Sequence, residues 1–331
     1  MHEAQTFSLS QIDHSRLHGE LIERRTRLEA AAARSDADQL AELLDAVDEA
    51  LNRMEHGDFG ICEVCDELIE SELLIDDPLT RICLECLSDD QRRALEHDLN
   101  LASKIQRRLL PQQEFDAPGW EGYYHYEPHG AVSGDFCDVI RDGEETLILF
   151  GDISGKGVSA ALLMSHLSAI FRGLSGSGLP LVEIMERANR LFGAAIPVGS
   201  FATMVAARLL KDGGVELSNA GHVPPIVQNG RVEQLPPDGV PLGLFCQSAY
   251  TSQRLRLAEG DRLVLVTDGI IESTNGRDAE YGLDTLSRIV EFHPNEEPRD
   301  LAERLVADAA RFRNSRPADD DITLMVVRRT D

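Results

Sequence analysis

Residues 146–164, TLILFGDISGKGVSAALLM, begin with a short, mostly apolar run, turn through Gly151, Gly155 and Gly157, and continue into an apolar helical pattern. A short run bounded by turn residues predicts a strand over 146–150, and the periodicity after it predicts a helix near 158–173. A glycine-rich turn between strand and helix invites a phosphate-loop reading. That reading fails, because Phe150 stands at the first glycine position and Gly157 replaces the Ser/Thr that would hold magnesium. What remains is Asp152, an acid set just past a strand.

Working outward, similar apolar runs predict strands at 202–209, 214–218, 262–266 and 322–327, with helices near 180–193 and 299–313. The first two of these strands are joined by KDGG, a hairpin signal. Short hairpin links favour antiparallel pairing, so the fold class is α+β rather than doubly wound α/β. There is no internal repeat.

The chain has 331 residues, enough for two or three modest domains. Apolar residues make up 42% and charged residues 27%, the balance of a folded globular protein. Six cysteines are too few for a disulfide scaffold at this length, no apolar stretch approaches the ~20 residues of a membrane helix, and the first residues lack a secretory core. The expectation is a cytoplasmic protein with reduced thiols and no membrane contact. Net charge is −26, and residues 1–100 alone carry 25 Asp/Glu against 9 Lys/Arg. Such a surface repels a phosphate backbone, which excludes direct nucleic-acid binding.

Residues 1–56 read as a coiled-coil-like helical hairpin. Leu40, Leu44, Val47, Leu51 and Met54 form one seam, and Leu17, Leu21, Leu28 and Ala32 the facing one. Ser35 and Asp36 are N-cap residues for the second helix, and Gly57 is its stop. A small module at 57–95 follows, containing Cys62-x-x-Cys65 and Cys83-x-x-Cys86. Four thiolates in two knuckles satisfy tetrahedral zinc and leave no open position, the mark of a structural site. A pair of redox motifs is the alternative, though such motifs sit singly in a βαβ context. Cys86 and Arg92 match the spacing of a thiol-phosphatase loop, but Asp89 and Asp90 between them would repel a phosphate. The stretch MEHGDFGICEVCDELIESELLIDDPLTRICLECL (54–87), with the hairpin before it, resembles the DksA/TraR zinc finger. That resemblance implies a hairpin able to enter RNA polymerase, although the tip ARSDADQ lacks the family's usual aspartate pair. A sensory or dimerising module is the other use. A linker helix at 96–113 comes next, with Leu101, Ile105 and Leu109 on one stripe and Pro111 at its end.

Acids gather at the ends of predicted strands in the remaining segment, 114–331. Asp152 follows one, Asp268 another, Asp319, Asp320 and Asp321 precede a third, and Asp135 and Asp138 lie in SGDFCDV. One acidic strand end is an ordinary solvated turn. Several beside glycines point to carboxylates converging on hard cations, where oxygen-only ligation suits magnesium or manganese. Other chemistries lack their residues. Neither Cys137 nor Cys246 has the arginine of a thiol phosphatase, Ser200 has no nucleophile elbow, and His222 alone reads as structural.

SGDFCDV, LFGDISGKGVSAALLM, NRLF, SFATM, LSNAGHVPPIV, GVPLGLF, GDRLVLVTDGIIES and DDDITLMVV occur in that order over residues 99–328. Together they resemble the SpoIIE/RsbU-like branch of the metal-dependent (PPM) serine/threonine protein phosphatases. The resemblance implies an antiparallel β-sandwich flanked by helices, with two manganese or magnesium ions at one edge. It makes Asp152 the bridging ligand, aided by the carbonyl of Ile153. Asp135 would complete one metal, and Asp268 and Asp320 would hold the other. Asp138 and Asp321 are their neighbours, and Cys137 stands where an aromatic is common. The implied reaction is in-line attack of a metal-activated water on phosphoserine or phosphothreonine. The implied substrate is a phosphorylated anti-sigma-factor antagonist, with control by the zinc-bearing N-terminus and a homodimer through 99–110. The rival function is an RNA polymerase-binding regulator carrying an inactive phosphatase domain.

Overall fold

The computed structural model describes residues 11–32, 38–197, 199–275, 279–314 and 316–330. The chain forms two compact units, Met1–Asp98 and Leu99–Asp331.

In the first unit, α1 (Gln11–Ala32) packs on α2 (Asp38–His56), with Leu17 and Leu21 buried among Val47, Ala50 and Met54. Leu28 and Leu51 are partly covered. Ser35 and Asp36, the expected caps, lie outside the described residues, as does most of the hairpin tip. Cys62, Ile69, Leu74 and Cys83 complete the same core, so the cysteine module shares apolar packing with the hairpin. The short α3 (Ser71–Asp76) lies between the two cysteine pairs.

The next helix, α4 (Asp89–Leu109), begins seven residues before the expected linker boundary at 96. Its start is a capping box. The Ser88 hydroxyl accepts the Gln91 amide at 3.3 Å, and Gln91 Oε1 accepts the Ser88 amide at 3.0 Å. The expected stripe is not the buried one, because Leu101 and Ile105 are 51% and 55% exposed and Gln106 is buried.

The second unit contains β1 (Glu114–Ala117), β2 (Trp120–Glu127), β3 (Phe136–Asp142), β4 (Glu145–Ile153), α5 (Gly157–Leu174), α6 (Leu181–Gly193), β5 (Ala202–Leu210), β6 (Gly214–Ala220), β7 (Ile226–Gln228), β8 (Val232–Gln234), β9 (Gln253–Arg256), β10 (Arg262–Val266), α7 (Asp268–Ile271), α8 (Leu283–Phe292), α9 (Pro298–Phe312) and β11 (Ile322–Arg329). One sheet has the order β1-β2-β11-β10-β7-β8, the other β3-β4-β5-β6-β9, and every pairing is antiparallel. All five strands expected from apolar runs are present.

Successive side chains of a strand point to opposite faces, and here both faces are covered. On β4, Ile148 and Phe150 join the core between the sheets, while Leu147 and Leu149 join a core with α5 and α6. On β11, Met325 and Val327 face the sandwich interior, and Leu324 and Val326 pack with α8 and α9. The result is helices, sheet, sheet, helices, which explains why TLILF and ITLMVV are apolar without alternation. Helix α5 is long and apolar enough by composition to cross a membrane, contrary to the sequence expectation. Its Ala160, Met164, Leu167 and Phe171 are instead buried in the core with β3 and β4 residues.

Candidate metal centre and cysteine cluster

Four strand ends supply the acids. Asp135 immediately precedes β3, Asp152 lies near the end of β4, Asp268 opens α7 directly after β10, and Asp320 stands just before β11. Hydrogen bonds bring these ends together across the two sheets. The Thr267 hydroxyl donates to Asp135 Oδ2 at 3.0 Å, and the Thr323 hydroxyl donates to the same oxygen. Asp321 spends both oxygens on backbone, accepting the His129 amide at 2.7 Å and the Gly134 amide at 3.1 Å. It therefore anchors the 129–134 loop. Lys156, in the turn before α5, places its ammonium 3.1 Å from Asp320 Oδ2 and donates to the Asp319 carbonyl.

The acids destabilise one another's charge. Burial first, then the charge of Asp152, pushes the Asp135 carboxyl far above the usual range. Asp152 is pushed up to about 8 by burial and by the charges of Asp268 and Asp320. Burial and Asp320 raise Asp268 as well, and burial and Asp268 raise Glu272. Such a group of oxygen donors is suited to multivalent cations, which would remove the repulsion. The backbone packs closely against these acids at two glycines. A Cβ on Gly134 would come within 2.9 Å of the Ile153 carbonyl oxygen and 3.0 Å of Asp152 Oδ1. On Gly269 it would strike the Asp321 carbonyl at 2.0 Å.

Asp138 is elsewhere. Its buried carboxylate accepts Arg172 Nη2 at 2.7 Å and the Val139 amide at 2.8 Å, tying β3 to α5. Cys137 is buried between the sheets, where burial pushes its thiol far up. His222 is buried too, with Nδ1 2.9 Å from the Thr203 hydroxyl and burial lowering its pKa to about 4. Thr267, Thr323 and Gln106 carry no motif signal of their own in the sequence, and Lys156 stands there only in the rejected phosphate loop. Only their partners, far along the chain, reveal them.

In the other unit, Cys62, Cys65, Cys83 and Cys86 are, among the described residues, the one set of three or more metal-ligating side chains whose ligand atoms all lie within 4.8 Å of one another. The Cys83 amide donates to Cys62 Sγ at 3.4 Å, which lowers the Cys62 pKa to about 6. Neighbouring thiols push Cys86 up instead. Four sulfurs this close cannot all ionise without a cation between them.

The family described as Stage II sporulation protein E (SpoIIE) matches residues 142–330. The chain belongs to this family. The SpoIIE-family segment contains Asp152, Asp268 and Asp320, and Asp135 lies just ahead of it. Phosphoserine phosphatase RsbU of Bacillus subtilis (strain 168) is 25% identical over 246 residues, covering 72% of each chain. The SiaA-PP2C domain of Pseudomonas aeruginosa superposes with a TM-score of 0.63 at 21% identity, covering 72% of this chain and 98% of that domain. RsbX, solved in complex with magnesium, gives a TM-score of 0.51 at 14% identity, covering 65% of this chain and 98% of RsbX. The second unit has the PP2C phosphatase fold.

Proposed function

We propose that this chain is a metal-dependent protein serine/threonine phosphatase that hydrolyses phosphoserine or phosphothreonine on a partner protein. The observation that carries the reading is the meeting of Asp135, Asp152, Asp268 and Asp320 at adjoining strand ends, with burial and mutual repulsion raising three of them. In this reading Asp135, Asp152, the Ile153 carbonyl, Asp268 and Asp320 are the residues that would hold two manganese or magnesium ions. When bound, manganese or magnesium supplies Lewis-acid chemistry: an acidified water as nucleophile and positive charge against the phosphoryl oxygens. The chain's own residues set the geometry. Thr267 and Thr323 orient Asp135, and Asp321 holds the loop that carries it. Likeness to RsbU-type enzymes favours a phosphorylated anti-sigma-factor antagonist as substrate.

The four cysteines are proposed to hold one structural zinc ion, supported by the closeness of their sulfurs. The DksA/TraR-like module at 57–95, with the hairpin before it, is proposed to regulate the phosphatase. Exposed Leu101 and Ile105 make a homodimer through 99–110 part of that reading. The test is phosphate release from a phosphoserine peptide by the full chain, with and without manganese. Release that needs the metal supports the function; no release across a set of phosphopeptides and an aryl phosphate counts against it.

A further inference from the structure

Gln106 is the one buried residue of α4, with 4% of its surface exposed. A helix that turns an amide inward while leaving Leu101 and Ile105 in solvent inverts the usual amphipathic arrangement. A buried carboxamide needs partners for both its ends, and here it has them. Nε2 donates to the Ser133 carbonyl at 2.6 Å, and Oε1 accepts the Ser133 amide at 3.1 Å. The Tyr126 hydroxyl donates to the same Oε1 at 3.2 Å. The side chain thus pairs with both backbone groups of one residue, as a neighbouring strand would.

That residue begins the turn into Asp135. The Ser133 hydroxyl accepts the Asp135 amide at 3.0 Å, and the Gly134 amide between them donates to Asp321. Two links, Gln106 to Ser133 and Ser133 to the Asp135 amide, therefore connect α4 to the backbone that carries the carboxylate. The turn lies outside the strand ladders; a backbone bond, the Gly134 carbonyl accepting the Ile153 amide at 3.3 Å, is joined there by these side-chain bonds.

We propose that Gln106 is a positioning residue for Asp135: its carboxamide clamps Ser133 so that the Asp135 carboxylate is held toward Asp152, ready to take up a cation. The proposal rests on the reading of Asp135 as a metal ligand. It differs from simple docking of α4, which would alter stability and leave metal affinity alone.

The experiment is calorimetric titration of the full chain with manganese, together with amide hydrogen exchange over 132–136. Gln106→Met keeps length and volume but none of the three hydrogen bonds; Gln106→Asn keeps the amide but is one methylene too short to reach. Both should stay folded, bind manganese about ten-fold more weakly, as loss of an outer-shell partner does, and exchange faster at Ser133 and Asp135. Arg107→Ala, on the exposed side of the helix, should match the wild type. Folded variants with wild-type manganese affinity and exchange would overturn the proposal, even if they melt earlier. Failure of both variants to fold would overturn it too, since Gln106 would then be a determinant of the fold. Asp135→Asn separates the two claims. If it binds manganese like the wild type, the ligand reading itself fails; if it binds weakly while the Gln106 variants bind normally, only the clamp falls.

Discussion

The Lys156 ammonium lies 3.1 Å from Asp320 Oδ2, on the carboxylate that would face a metal ion. The lysine side chain is 59% exposed, so the contact is screened and cheap to break. It acts as a monovalent counter-ion that a divalent ion must displace. Lys156→Met should therefore tighten manganese binding by about two- to five-fold, the range an exposed ion pair allows. Weaker binding in the variant would show instead that the ammonium helps to build the site.

Without metal, the acids make stability depend on pH. Asp152, pushed up to about 8, keeps its proton in the folded chain over a range where the unfolded chain has released it. A raised carboxyl contributes stability that is full below about pH 4 and is lost as pH rises through about 8. The melting temperature in chelator should fall between pH 5 and 8.5, with buried Asp135 adding to the effect. Manganese should abolish the decline. A flat profile in chelator would mean the carboxylates are not held near one another.

Gly134 leaves the space in which the Ile153 carbonyl and Asp152 approach the Asp135 turn. In Gly134→Ala the added methyl would press on both, at 2.9 and 3.0 Å. Manganese affinity should drop about ten-fold while the sandwich stays folded. Unchanged titration curves would remove this turn from the site.

The parts of the fold that could be read in the sequence are those where burial is two-sided. TLILF and ITLMVV are apolar throughout because one face meets the other sheet and the other face meets helices. The other six strands carry no such run: β7, β8 and β9 are only 3, 3 and 4 residues long, and β1, β2 and β3 are interrupted by charges, among them Asp138, buried against Arg172. The start of α4 lies seven residues before the boundary predicted at 96 because the Ser88–Gln91 capping box, not the apolar stripe at 101–109, sets it. At the candidate metal centre the aspartates stand out as strand-end acids. Gln106, Thr267 and Thr323 do not, because their partners lie 27, 132 and 188 positions away and only the antiparallel topology brings them near.

Zinc should be removable by one substitution. Cys83 is buried in the core that α1 and α2 share with the cysteine module. Cys83→Ser should release the metal and expose residues 57–95 to proteolysis, because so small a module draws its folding energy from the site. Elemental analysis that finds no zinc in the native protein would defeat this reading.

Asp268 bears most directly on the central claim, since it opens α7 at the end of β10 and its charge is coupled to both Asp152 and Asp320. Phosphate release from a phosphoserine peptide should be measured for the full chain and for Asp268→Asn, each across a manganese titration. The wild type should turn over only with manganese. The variant should stay folded and lose at least about a hundred-fold in rate, as expected when a ligand of a catalytic metal is removed. Wild-type turnover by Asp268→Asn in saturating manganese, or undiminished turnover by the wild type in chelator, would contradict the account.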